Sequence, residues 1–239
     1  MKDRIIYLLK AIGVVYLLYF LCRLTFFLFQ YPKFIESTFW GIIKAFFVGT
    51  LFDTVSISYS NSLFIILVAL PFVSLQNRIV KGLLKSWLVV SNAIATALNL
   101  IDVVYFDYSQ RRTGDEILVL GHNTGDLLGT YLTDFWHIIL IFICYVAFLG
   151  IFAYRLRTPH TYLPHTSRQW GLSMGTFLIV TGFCVLGMRG GLFRTPLLTQ
   201  DAAKFVDAKL VAVATNTPHQ IIATIQAENL KAKALMDIA

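Results

Sequence analysis

The sequence predicts an all-α membrane protein of about five transmembrane helices, with an interfacial or re-entrant segment and a C-terminal juxtamembrane helical segment. Two observations carry this. Of 239 residues, 57% are hydrophobic and 14% are charged, whereas a soluble domain carries about a quarter charged residues; mean hydropathy is +0.69. The apolar residues also lie in blocks of the roughly 20 residues that a helix needs to cross bilayer hydrocarbon. The net charge of +7 does not point to nucleic acid, because the cations sit in short loops between apolar blocks with no recognition helix or zinc-finger spacing. Three cysteines, Cys22, Cys144 and Cys184, are too few and too scattered for a disulfide framework or a zinc site.

The first span is expected over Ile5 to Phe29, with Lys10 and Arg23 near its ends, where long side chains snorkel to headgroups. It is no signal peptide: the run is about twice the usual apolar length, and no small-residue cleavage site follows. A polar loop with Pro32, Lys33 and Glu36 leads into an apolar stretch from Phe39 to Val73, too long for one upright span. The stretch divides at Asp53 into an interfacial or re-entrant piece, Phe39 to Phe52, and a second span from Ser56 to Val73. The alternative is one long tilted helix. Spans three, four and five are expected over Leu83 to Phe106, Phe135 to Tyr154 and Trp170 to Met188. In the last, Gly171 and Gly175 have the four-residue spacing that permits close helix packing.

Orientation follows from the cations. With the N-terminus inside, Lys2, Arg4, Lys10, Arg78, Lys81, Lys85, Arg155, Arg157 and Arg168 are cytoplasmic, and only Lys33, Arg111 and Arg112 fall in outer loops. This satisfies the positive-inside rule. Residues 1–188 then form a five-span domain, and 189–239 an extracytoplasmic helical linker. Within the linker, Thr199 before Asp201 reads as a helix start. Thr217 reads as a helix cap with Pro218 at the first helical position. That helix reaches Ala239 with no terminating signal, so a truncated chain is expected.

Ionisable groups in apolar spans are expensive, which singles out Asp53 and Asp102. Asp53, Ser56 and Ser60 share one helical face; Thr96, Asn99 and Asp102 share another. The two stripes either meet inside the bundle, in a lipid-substrate or proton role, or lie near the outer interface as hydrated or capping groups. Arg111 and Arg112 follow span three; Arg189, Gly190, Gly191 and Arg194 follow span five. Paired arginines at headgroup level suit bidentate bonds to a lipid phosphate, and the glycines would let the backbone turn close to it. Interfacial anchoring and a plain turn are the alternatives. The five histidines, His122, His137, His160, His165 and His219, have no metal-ligand spacing, and no Walker loop, nucleophile elbow or HExxH occurs.

The order of these features resembles the N-terminal membrane region of lipoteichoic acid synthase-like proteins, the membrane-embedded phosphoglycerol transferases and sulfatases of the alkaline phosphatase superfamily. The resemblance runs through Phe52-Asp53, Asn99 to Asp102, Tyr105-Phe106, Arg111-Arg112-Thr113, Arg189-Gly190-Gly191, Arg194 to Pro196, Asp201 to Ala203 and Asn216-Thr217-Pro218. The chain departs from the family at Thr50-Leu51, where an arginine often precedes Phe-Asp, and at Thr195, which separates Arg194 from Pro196. The resemblance implies a bacterial plasma membrane location and an extracytoplasmic catalytic domain using a threonine nucleophile with a divalent metal, usually manganese. Beyond Asn216 this chain offers only His219, Glu228 and Asp237 for such a metal, so no catalytic residue carries over. The reading is a membrane anchor that positions an anionic phospholipid or lipid-linked substrate for that domain, with a small transporter or a non-catalytic scaffold as rivals. Its hypothesised contacts are Arg111, Arg112, Arg189, Gly190, Gly191 and Arg194 for the headgroup, and Asp53, Asn99 and Asp102 within the membrane.

Overall fold

The computed structural model describes residues 1–114, 134–159, 166–191 and 196–236, with side chains as far as Gln226 in the last stretch. Its helices are α1 (Lys2–Phe29), α2 (Phe39–Ser60), α3 (Ser62–Ala69), α4 (Arg78–Ser109), α5 (Trp136–Arg155), α6 (Ser167–Arg189), α7 (Val211–Ala214) and α8 (Thr217–Met236). Between α6 and α7 the chain makes 3-10 turns at Thr199–Lys204 and Ala208–Leu210. Among the described residues α1, α2, α4, α5 and α6 are long and apolar enough to cross a membrane, and no strand occurs.

Side-chain bonds to the backbone fix the path of the chain. At the start of α1 the Arg4 guanidinium donates to the carbonyls of Val68 (3.0 Å), Leu70 (2.5 Å) and Val73 (2.6 Å). It thereby caps the end of α3, whose last carbonyls have no helical partner. The α2–α3 arm is therefore antiparallel to α1. Asn77 starts α4 by accepting from the Ile79 amide at 2.9 Å. Lys85, early in α4, donates to the Tyr154 carbonyl at the end of α5, so these two helices are antiparallel as well. The bundle thus has an Arg4 end and an opposite end where α1 finishes. At the Arg4 end Tyr7, Phe64, Leu84 and Leu88 pack together. At the other end Phe26, Phe52 and Phe106 pack with Leu197, Leu210 and Val213. The chain after α6 therefore shares a core with α1, α2 and α4.

Three expectations are overturned. The first is the division at Asp53: α2 runs unbroken from Phe39 to Ser60 and is itself the second span, with no separate interfacial or re-entrant piece before it. Asp53 does not end the helix because its carboxylate is paired inside the bundle with Arg23 at 2.6 Å. The break falls at Asn61, whose Nδ2 donates to the Ile57 carbonyl at 3.1 Å. Side-chain bonds of this kind compete with the helical ladder and bend helices. Asn61 also exchanges hydrogen bonds with Asn92 of α4, at 3.2 and 2.8 Å.

The second concerns Arg23, which does not snorkel. It is buried and turned inward. The third is the cap of α8: Asn216, not Thr217, accepts from the His219 amide at 2.8 Å. At Thr199 the expected helix start is a 3-10 turn, with Asp201 accepting from the Leu198 amide at 2.8 Å.

The glycine pair in α6 makes no contact within the described bundle: a Cβ at Gly171 or Gly175 would meet nothing within 4 Å. Close approach occurs instead at Gly49, against the Arg23 guanidinium, and at Gly187, against Ser58.

Candidate functional site

Two buried Arg–Asp pairs lie at the end of the bundle where α1 finishes. In the first, Arg23 of α1 holds Asp53 of α2 and donates to the carbonyls of Gly49 (2.9 Å), Ala214 (2.7 Å) and Val213. The Asp53 oxygen that Arg23 holds is shared with Asn216, whose Nδ2 donates to it at 2.8 Å. Asn216 accepts in turn from the Ser56 hydroxyl at 2.7 Å. In the second pair, Gln110 ends α4 in the left-handed region, φ 55°. The chain then folds back so that Arg112 and Thr113 return to Asp102. Arg112 donates to Asp102 at 3.3 Å and to the Ala212 carbonyl at 2.8 Å, and its guanidinium stacks 3.6 Å above the Phe26 ring. Asp102 also accepts from the Thr113 amide at 3.0 Å and from the hydroxyls of Thr113 and Thr217. The Asn99 carbonyl oxygen receives the Thr217 amide at 3.3 Å.

The two polar stripes read from the sequence therefore meet, but through the chain between them. Asp53 and Ser56 grip Asn216; Asn99 and Asp102 grip Thr217. Buried ions cost several kcal/mol each unless paired and fully hydrogen-bonded. Both carboxylates here meet that condition with donors supplied by the chain itself. They clamp the 212–217 segment. Burial pulls the Arg112 guanidinium down to about 10, with the Asp102 carboxylate acting the other way, so it remains charged at neutral pH. His219, one turn into α8, stands edge-on to Phe52 at 4.9 Å, and its Nε2 lies 3.0 Å from the Leu197 carbonyl, to which it donates. Its Nδ1 is buried without a partner among the described residues, and burial lowers the imidazole from 6.5 to about 4.

Above the second pair opens a cleft of about 400 Å³. Its polar wall carries Lys33, Gln110, Arg111, Arg112 and Lys209, and its apolar wall includes Phe34 and Phe106. Among the described residues no carboxylate lines it. Counter-charges sit just outside: Asp107 pairs with Lys33 at 2.8 Å, and Glu36 pairs with Lys209, which holds the Glu36 carboxyl below its usual range. Arg111 is exposed, whereas Arg112 is buried with its donors turned to Asp102 and Ala212.

Of the residues expected to hold a headgroup, Arg111 and Arg112 line this cleft. Arg189, Gly190 and Gly191 do not. The two glycines close α6: the Gly190 amide donates to Gly187 and the Gly191 amide to Leu186, with Gly190 at φ 81°. This is the Schellman arrangement that favours glycine, so here the pair is a helix stop. Arg194 lies outside the described residues.

Sequence reasoning missed Arg23, Lys33, Thr113, Thr217 and Lys209. Arg23 carried a readable signal, an arginine more than a turn inside an apolar span; Thr113 and Thr217 stood only within the motifs of the family resemblance, and Lys33 and Lys209 carried no signal. No group of three or more His, Cys, Asp or Glu residues suited to a metal occurs among the described residues. No protein family, curated protein or solved structure matches the chain.

Proposed function

We propose that this chain is a membrane-embedded module that holds an anionic lipid headgroup in the cleft above Arg112. In this reading it presents that lipid to an extracytoplasmic phosphoester-transferring or -hydrolysing domain, as its resemblance to the lipoteichoic acid synthase-like proteins implies. The chain sits in a bacterial plasma membrane with its N-terminus cytoplasmic. A divalent metal, manganese by the resemblance, belongs to that other domain. One observation carries the headgroup assignment: four cations, Lys33, Arg111, Arg112 and Lys209, line one cleft with no carboxylate among the described lining residues. An anionic phosphodiester suits such a wall, because charge-assisted bonds to arginine and lysine are the strong ones. The aromatic wall, Phe34 and Phe106, suits the glycerol and upper acyl region of the same lipid.

The test is lipid retention by the purified chain, read by native mass spectrometry in detergent with phosphatidylglycerol and phosphatidylcholine. Phosphatidylglycerol is expected to be retained preferentially. The double variant Arg111→Gln with Lys209→Gln should weaken that retention about tenfold, the value of one or two charge-assisted bonds. Equal retention of both lipids, or an unchanged preference in the variant, overturns the assignment.

A further inference from the structure

We infer that the Arg4 end of the bundle carries a second anionic phospholipid site, in the leaflet opposite the first. There the opening turns of α1 and the closing turn of α5 part to leave a cleft of about 480 Å³. Three cations line it, Lys10 from α1 and Arg155 and Arg157 from the end of α5 and beyond. All three are exposed, and none is ion-paired among the described residues. In the first cleft, by contrast, Lys33 and Lys209 each have a carboxylate of their own.

The neighbouring arginine shows what a structural role looks like in this fold. Arg4 is buried and spends its donors on the carbonyls that close α3. Among the described residues Lys10, Arg155 and Arg157 make no such bonds. Like charges gathered without partners repel each other, and an anion between them removes that cost. A basic pocket between apolar helices is how anionic headgroups are bound at a membrane surface.

The rest of the wall fits a lipid better than a free anion. Ile6, Phe152 and Leu156 are apolar, and beside them Leu9 and Ile151 are exposed along the same two helices. A phosphate at the level of Lys10 and Arg155 would leave its acyl chains along these residues. Tyr7 also lines the cleft; it is 3% exposed and its hydroxyl has no partner among the described residues. A buried hydroxyl without a bond is costly, and a bound ester oxygen would relieve that cost. Asp3 is the one carboxylate among the described residues of the wall. It disfavours a polyanionic headgroup and leaves a singly charged phosphodiester as the occupant.

The experiment uses the full purified chain in phosphatidylcholine nanodiscs with and without phosphatidylglycerol, followed by native mass spectrometry of the released complexes. The triple variant Lys10→Gln, Arg155→Gln, Arg157→Gln is expected to lose one retained phosphatidylglycerol and to bind the remainder as the wild type does. Arg111→Gln with Lys209→Gln should leave this site filled, so failure here and failure at the first cleft are told apart. Should the triple variant not fold, Arg157→Gln alone, beyond the end of α5, is expected to weaken retention about tenfold. Inorganic phosphate and glycerol phosphate, added in excess, are expected not to displace the lipid. Unchanged retention in the variants overturns the proposal, and displacement by inorganic phosphate overturns the lipid as occupant.

Discussion

Asp53 and Asp102 were legible as residues that matter, because a carboxylate in an apolar helix needs a reason. Their partners were not. Asn216 is 163 residues from Asp53, and Thr217 is 115 residues from Asp102, and no local pattern links positions so far apart. Arg23 was misread because its place near the end of α1 allowed a snorkelling explanation, which only the depth of burial rules out. The pairing sets a sharp expectation. Asp53→Asn keeps the shape of the side chain but leaves the Arg23 charge buried, and removing one member of a buried pair costs about 3–5 kcal/mol. The thermal midpoint in detergent should fall accordingly. The double change Arg23→Met with Asp53→Leu, which removes both charges, should cost less than Asp53→Asn alone. A single variant as stable as the wild type would show that Asp53 is not held as an ion.

His219 gives the residue-scale dependence on pH. Its folded-state value is lowered from 6.5 to about 4, so the unfolded chain binds the proton first. Stability from the buried neutral ring is complete above 6.5 and is lost as the pH falls toward about 4. At 1.36 kcal/mol per unit the loss is about 3 kcal/mol at most. Thr199 and the 3-10 turn that carries Asp201 face the same region, and Lys204 with the Leu198 amide holds the Asp201 carboxyl below its usual range. It therefore stays ionised through most of that window. Unfolding midpoints measured between pH 7 and 4 should fall in the wild type and fall less steeply in His219→Gln. Parallel slopes would remove His219 as the source.

At the scale of elements, the count of long apolar helices was legible and the boundaries of the second were not. The run from Phe39 to Val73 has two charges in it, Lys44 near its start and Asp53 near its middle, and a charge in the middle of such a run reads as an interface. The helix ignores Asp53 because tertiary pairing neutralises it, and bends instead at Asn61, where a polar side chain reaches its own backbone. Glycine spacing misled for the same reason: it reports what a helix permits, not what lies beside it. Gly175→Ala should be neutral or stabilise by up to about 1 kcal/mol, since alanine is the better helix former and nothing stands in its way. Gly187→Ala puts a methyl against Ser58 of α2. It should destabilise by about 1–3 kcal/mol, the usual cost of overpacking. Paired thermal melts of the two variants decide the matter, and a Gly187→Ala protein as stable as Gly175→Ala would mean that α6 is not seated on α2.

For the whole molecule, the question is which side of the membrane each end faces, and the fold ties several segments to one answer. Ser74 follows Val73, whose carbonyl Arg4 binds, so the α3–α4 connection and the N-terminus share one end. Ile35 lies between α1 and α2 at the other end, where Glu36 pairs with Lys209, so the segment before α7 shares that end. In the proposed orientation the first end, with nine cations against Lys33, Arg111 and Arg112 in the loops that follow α1 and α4, faces the cytoplasm, as the positive-inside rule implies. Single cysteines at Ser74 and Ile35, both exposed, test this once Cys22, Cys144 and Cys184 are replaced by alanine. In intact cells a membrane-impermeant maleimide should label Ile35→Cys and spare Ser74→Cys, with both labelled after permeabilisation. The reverse pattern would turn the cleft above Arg112 toward the cytoplasm. A lipid held there could not be handed to an extracytoplasmic domain, and the proposed function would fall with it.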